Sequence, residues 1–322
     1  MNVSVEFLER AAAETGFQAA TLEKVVRLGE LAGAVGAHPL LRSALALKGG
    51  TALQLFFGPP RRLSVDLDFN YVEAADRETM MERRPVIERA LFELSSRLGF
   101  RVQQSREEHA GRKLHLRYGS ALGGFERIQL DINYLFRTPL PGAERREMWQ
   151  PSELDRPSLL VVSIEELAIG KLLALLDRTT PRDIYDTAHL PSIARTTLET
   201  PRFRSLFVSL ATTLKRPLYE YDARRLETVT DQALEEQLFS MLISDERPSA
   251  AQLRRDAAAV IEPLLSLSEP EQELVRRVER GELALDLLFA KGDPDRASLE
   301  RHPALLWKLQ NVRQHLAKKS GG

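Results

Sequence analysis

The chain has no cysteine, which excludes disulfides, thiolate-held metals and cysteine nucleophiles. No stretch approaches the ~20 consecutive apolar residues that a membrane-spanning helix needs. Excess charge of either sign is also lacking: 45 Lys+Arg stand against 46 Asp+Glu, a formal net charge of −1. Such a balance excludes a protein that coats nucleic acid over its whole surface, so any polyanion site has to be a local patch. Internal repeats and low-complexity tracts are absent. The opening residues MNVSVEFLERAAAE follow a polar-faced helical pattern and lack the charged-then-apolar layout of a signal peptide, which with the missing cysteine fits a cytoplasmic location. What is present is a chain of 322 residues, 43% apolar and 28% charged. That length exceeds the ~150-residue prior for one domain and predicts two packed units.

Three textures follow one another. Apolar residues recur at helical spacing from residue 5 to about 37 (Phe7, Leu8, Ala11, then Leu22, Val25, Val26 and Leu28) until His38-Pro39 interrupts them. Residues 40–138 mix short helices with β-like runs: ALALKGG, LSVDLDFNYV, a charged helix near 79–98, and then RVQQS, KLHLRYG and RIQLDINYLF, which read as a meander on one sheet. Between 139 and 158, Pro139, Pro141, Pro151 and Pro157 with Gly142 and Ser152 have the composition of a connection between domains. From 159 onward the pattern is of amphipathic helices, near 163–178, 181–190, 198–215, 231–243, 250–267, 270–291 and 297–318. The expected organisation is α+β: a domain with a small mixed sheet and N-terminal helices over 1–150, and an α-helical domain over 151–322.

The segment from Leu45 to Phe69 carries the chemistry. Its apolar run Leu45 to Leu47 ends in Gly49-Gly50, and a short helix starts near Thr51. Paired glycines ahead of a helix let backbone approach a ligand, and the free N–H groups of a helix start favour phosphate. Downstream, Asp66 and Asp68 lie two apart in a strand-like run, so both carboxylates project from one face while Val65, Leu67 and Phe69 face the other. Aspartate is disfavoured in strands, and adjacent carboxylates repel; Mg²⁺ is the usual remedy, taking one or two carboxylates, water and substrate phosphates. In RIQLDIN, Gln129, Asp131 and Asn133 alternate with Ile128, Leu130 and Ile132, which puts Asp131 on one face of a second strand. Three aspartates from two neighbouring strands can hold two metal ions, with Asp131 also placed as base toward a hydroxyl.

In the first helix of the second domain, Ser163 and Glu166 form a capping-box pattern, and Ile164, Leu167, Ala168, Leu172 and Leu175 form the apolar stripe. Lys171 falls on that stripe. Either its stem snorkels to the edge or its ammonium meets an anion in a cleft. The next helix starts at Thr180-Pro181; Asp183 suits a capping carboxylate, and Asp186 can pair with Arg182 one turn back.

Gly49-Gly50, Asp66-x-Asp68 and the isolated Asp131 resemble the nucleotidyltransferase fold of DNA polymerase β. A narrower match is the ordered set KGGTAL (from Lys48), R-x-S-x-D-L-D-F (Arg62 to Phe69), E-x-L-x-x-x-K-L-L-A-L (Glu165 to Leu175) and R-D-I-Y-D (Arg182 to Asp186). Together these resemble the AbiEii/AbiGii toxin family of nucleotidyltransferases, which includes toxins of abortive phage-infection systems and their mycobacterial relatives. The resemblance covers residues 45–190. It implies an NTP as substrate, Mg²⁺ (or Mn²⁺) held by Asp66, Asp68 and Asp131, and nucleotide contacts from Lys48, Gly49, Gly50, Thr51, Ser64, Lys171 and Arg182. It further implies that Lys171 meets the triphosphate, that Asp186 is required for activity by positioning Lys171 or the nucleotide, and that the helical domain completes the active site. The implied acceptor is the 3′ end of tRNA, whose modification stops aminoacylation and growth, and the implied partner is a cognate antitoxin. Ser64 matches a hydroxyl that kinase-type antitoxins phosphorylate in some relatives, where an added dianion would block a metal site. The base of the NTP stays open.

Two rivals keep the scaffold: transfer to a protein side chain or small molecule, as in antibiotic adenylyltransferases, and a non-catalytic binding protein. For RNA, residues 82–117 carry nine Arg/Lys against five Glu, a surplus that reads equally as a phosphate-binding patch or a solvated helix. Phe100, Tyr118 and Phe125 are candidates either for base stacking or for the core, and the six histidines, His109 and His115 among them, match no metal spacing.

Overall fold

The structure is a computed structural model and describes residues 3–105, 111–140 and 142–320. Within the charge-rich stretch, Arg106, Glu107, Glu108 and His109 lie outside the described residues, as does Pro141. Two compact units emerge, one of residues 1–163 with 235–247 and the other of 164–234 with 248–322. Among the described residues no helix is long and apolar enough to cross a membrane.

The first unit runs α1 (Val5–Thr15), α2 (Ala19–Ala37), α3 (Leu41–Ala44), β1 (Leu45–Lys48), α4 (Gly49–Phe56), β2 (Asp66–Tyr71), α5 (Arg77–Arg97), β3 (Arg101–Gln104), β4 (Gly111–Gly119), β5 (Phe125–Asn133), β6 (Ala143–Glu147) and β7 (Ser158–Val162). The strands form one mixed sheet in the order β3-β4-β5-β2-β1-β7-β6. β2 runs parallel to β5 and β1 parallel to β7, and the other neighbours are antiparallel. The expected meander is therefore β3-β4-β5, with the aspartate strand β2 laid against its inner edge.

Alternation fixes which face is covered. Leu114, Leu116 and Tyr118 of β4 and Ile128, Leu130 and Ile132 of β5 are buried, while the residues between them stay open or half-open. Helices α2 and α5 pack on the buried side with Leu28, Leu31, Ile87 and Leu91. A buried ionic knot ties α5 to that side: Glu88 accepts from the Nε of Arg84 and of Arg112, both at 2.8 Å. Arg84 and Arg112 are thereby committed to structure, so the linear basic segment does not act as one patch.

The stretch 139–158, which composition reads as an inter-domain connection, holds β6 and leads into β7. The apolar run Leu159 to Val162 is drawn into the sheet beside β1, and β6 pairs with it. The division between units consequently falls after Ser163. The chain also returns to the first unit at 235–247, where Met241 O accepts from Leu63 N at 2.7 Å and Ser240 O accepts from Thr21 Oγ1 at 3.0 Å. These contacts hold the segment just ahead of β2, where Arg62 and Ser64 are buried.

The second unit is helical: α6 (Ile164–Arg178), α7 (Pro181–Leu198), α8 (Pro201–Ala211), α9 (Asp231–Gln237, whose last residues belong to the first unit), α10 (Ala250–Leu265), α11 (Glu269–Glu279), α12 (Pro294–Leu299) and α13 (Pro303–Ser320), with short 3₁₀ turns between. α7 packs on α6 and α10 through Ile184, Tyr185 and Leu190. The helix expected over 270–291 stops at Glu279, because the following Gly281 takes φ +82° and reverses the chain.

Candidate active site

The carboxylates expected from the strand spacing meet on one open face. Asp68 of β2 lies directly opposite Asp131 of β5, and Asp66 opposite Gln129. Neighbours in register project to the same side of a sheet, so Asp66, Asp68 and Asp131 share a face while Leu67 and Leu130 point into the core. The row extends both ways: Lys113 of β4 opposes Asp131, and Lys48 of β1 opposes Asp68. Two aspartates thus sit side by side with a lysine strand position beyond each. Alternation along β5 already places Gln129 beside Asp131, whereas Lys113 is a site residue that single-strand periodicity misses; only the pairing of β4 with β5 brings it in.

Asp131 is the more constrained acid. Its Oδ2 accepts from Gln129 Nε2 at 3.0 Å and lies 3.5 Å from Lys113 Nζ. Its Oδ1 is buried with no hydrogen-bond partner. Burial pushes the Asp131 carboxyl above the ordinary range and the Asp68 charge adds to the push, whereas Lys113 and Gln129 pull it back. A buried carboxylate oxygen with nothing to accept from is costly, and a cation would satisfy it. Among the described residues no three His, Asp or Glu side chains are gathered closely enough to hold a metal ion alone. Mg²⁺ is a cation that binds through one or two carboxylates and completes its shell with water and substrate phosphate, and Asp68 and Asp131 are the in-register carboxylates that could serve it.

Immediately beside the acids, α4 begins without a side-chain cap. Lys48 occupies the N-cap position, and Gly49 at φ +78° turns the chain from β1 into the helix. A Cβ at Gly49 would overlap the Asp68 carboxylate, with Asp68 Cβ and Cγ both at 3.1 Å, so only glycine allows this approach. Thr51 is buried and its hydroxyl donates to the Asp66 carbonyl, pinning the helix start to β2. Gly50 is buried in the same turn, and Ser64 is buried two residues ahead of Asp66. The expected phosphate-binding turn and the acid row are therefore one structure, with unsatisfied helix-start N–H groups next to carboxylates.

The expected second-unit residues form their own cluster. Lys171 is buried and meets Asp186 Oδ2 at 2.7 Å, with side-chain exposures of 9% and 0%. The ammonium on the apolar stripe does not snorkel; its anion is Asp186, one helix away. Asp183 is the capping carboxylate: its Oδ2 accepts from Thr180 N at 3.2 Å and Thr180 Oγ1 at 2.6 Å, and Arg178 adds a bidentate pair at 2.8 Å. Burial raises the Asp183 carboxyl, but Arg178 and Thr180 outweigh it and hold the group below the usual range. Arg182 is exposed on the first turn of α7.

A family model described as nucleotidyl transferase AbiEii toxin, type IV TA system, matches residues 34–295. The fold is similar to that of MenT4, a nucleotidyltransferase toxin of Mycobacterium tuberculosis H37Rv, with a TM-score of 0.63 and 22% identity over 95% of this chain and 99% of that one. JHP933 from Helicobacter pylori matches with a TM-score of 0.49 and 14% identity, covering 84% of this chain and 99% of that one. No curated protein matches the sequence.

Proposed function

The chain belongs to the AbiEii toxin family of nucleotidyltransferases of type IV toxin–antitoxin systems, and on that premise we propose that it moves a nucleotide from an NTP to the 3′ end of tRNA. The observation that carries the reading is the in-register pair Asp68–Asp131, with a bare buried oxygen on Asp131, next to the glycine-opened start of α4. Mg²⁺, with Mn²⁺ as its substitute, would draw one or two carboxylates at a time from Asp66, Asp68 and Asp131, with water and phosphate completing its shell, and would neutralise the charge developing on the nucleotide's phosphates.

The residues divide the remaining work. The N–H groups at Gly49, Gly50 and Thr51 bind phosphate oxygens, and Lys48 adds a positive charge at the same end of α4. Asp131 accepts the proton of the attacking hydroxyl as its oxygen bonds to the α-phosphorus. The bond from that phosphorus to the bridging oxygen breaks, and pyrophosphate leaves with its electron pair. In the second unit, Lys171 is assigned to phosphate recognition, with Asp186 as the residue that positions it and Arg182 as a further phosphate contact. Addition to tRNA would block aminoacylation and growth, and a cognate antitoxin would relieve it, through phosphorylation of Ser64 if that partner is a kinase.

Incubation with each labelled NTP, total tRNA and Mg²⁺ tests the proposal. Label should enter tRNA, and Asp131→Asn should reduce entry by more than about 10²-fold while the protein remains folded. Label entering protein or a small molecule in place of RNA would replace the acceptor, and toxicity unchanged by Asp66→Ala would point to a binding protein.

A further inference from the structure

The face that bears the carboxylates does not end at them. Counting back along β5 from Asp131, the residues on the same side are Gln129, Arg127 and Phe125. Their register partners on β4 are His115 opposite Gln129, Arg117 opposite Arg127 and Gly119 opposite Phe125, and on β3 Gln103 opposes His115 and Arg101 opposes Arg117. Arg101, Arg117 and Arg127 therefore form a three-strand row of guanidinium positions on the open side of the sheet. Four residues of strand separate Arg127 from Asp131, roughly 13 Å. All three arginines are exposed, and among the described residues none of them is engaged by a carboxylate.

At the far end of the row stands Phe125, which is 58% exposed. The Arg117 guanidinium lies 4.2 Å from its ring centroid and that of Arg101 lies 6.0 Å away. Phe100 and Tyr118, the other aromatic candidates, are buried in the core, so Phe125 alone of the three is free to stack. Gly119 opposite leaves the ring without a cross-strand side chain, and a Cβ there would meet open space. An exposed ring held under guanidinium groups on an open antiparallel sheet is the chemistry by which unpaired bases are stacked and their phosphates balanced.

We propose that the open face of β3-β4-β5 is the docking surface for the single-stranded end of an RNA acceptor. Arg101, Arg117 and Arg127 face its phosphates, Phe125 stacks on one of its bases, and Gln129 and His115 form the step that leads to the acid row. This rests on the reading of Asp66, Asp68 and Asp131 as the transfer site. Continuity argues for a nucleic acid: one end of the face presents Asp131, assigned to take a proton from a hydroxyl, and the other carries the guanidinium groups that would balance a phosphate backbone. A single strand is required because its terminal hydroxyl has to reach Asp131 across a flat surface.

Fluorescence anisotropy with a labelled single-stranded RNA of about 12 nucleotides and a free 3′ hydroxyl tests the surface on the full chain. Arg117→Glu combined with Arg127→Glu should weaken binding by more than tenfold and lower the slope of log affinity against log salt by about 1.4. Phe125→Ala should weaken binding about tenfold, and Phe125→Tyr should bind as the wild type does. Stabilisation of the same variants by NTP with Mg²⁺ should be unaltered, which separates RNA docking from a damaged nucleotide site. RNA affinity indifferent to these substitutions, with transfer to RNA by the wild type intact, overturns the docking surface and leaves the transfer reading standing. Transfer to a protein or small molecule with no RNA binding overturns both.

Discussion

Gly49→Ala separates the cost of backbone strain from the cost of a displaced carboxylate. Gly49 sits at φ +78°, where any residue with a Cβ loses about 1–2 kcal/mol. For a unit of this size each kcal/mol moves Tm by about 2–4 °C, so the variant should melt roughly 2–8 °C below the wild type and still fold. The functional cost is larger. The added Cβ would overlap the Asp68 carboxylate and lie 3.1 Å from both Cβ and Cγ of Asp68. The carboxylate has to rotate away from the added Cβ, and the 3.1 Å contact that remains at Asp68 Cβ asks the strands to give by a few tenths of an ångström, so the Asp68 oxygens leave the positions they hold beside Asp131. A displacement of about 1 Å at a reacting centre costs on the order of 10²-fold in rate. Gly58→Ala is the control: that glycine also has positive φ, at +121°, but a Cβ there meets no atom within 4 Å. Thermal melts and single-turnover label transfer at saturating NTP should show both variants destabilised and only Gly49→Ala inactive. Wild-type turnover in Gly49→Ala, or equal loss in Gly58→Ala, would refute the argument that glycine serves the acid row.

Other outcomes follow from the second unit. Asp186→Leu alone leaves the Lys171 ammonium buried without its 2.7 Å partner and should cost about 3–5 kcal/mol by denaturant unfolding, whereas Lys171→Met with Asp186→Leu should recover most of that stability and none of the transfer activity. Asp183→Asn removes a capping box and an Arg178 pair and should cost about 2 kcal/mol at pH 7. Because the folded Asp183 carboxyl is held low, its contribution is complete above the unfolded value of about 3.9 and is lost as pH falls through the folded one. Urea midpoints of wild type and Asp183→Asn should therefore converge below about pH 4; a gap that persists there would mean that the carboxylate charge is not what stabilises the helix start.

How far the sequence could be read depends on which contacts are local. The acids were legible because the strand period of two and the helix period of 3.6 are properties of neighbouring residues: Asp66 and Asp68 on one face, Gly49 before α4, Thr180 and Asp183 at the start of α7. The family motifs extended that reading to Lys171 and Asp186, yet the pairing of those two lies across two helices and no spacing rule yields it. The same limit explains the segment 139–158, where prolines mark turns but cannot report that Leu159 to Val162 will be drawn beside β1. It explains as well why the basic run 82–117 divides. Residues contiguous in sequence alternate between faces, so Arg112 turns inward to Glu88 while Arg117 turns outward to Phe125. Arg127, which lies outside the run, takes the place beside Arg117 that register assigns it. The near-zero net charge thus conceals a sorting by face. On the covered side Arg84 and Arg112 are matched within the fold by Glu88. The open side gathers acids at one end, with a buried unpartnered oxygen on Asp131, and at the other guanidinium groups that no carboxylate engages among the described residues, an arrangement that acquires a physical reason when ligands of both signs meet it.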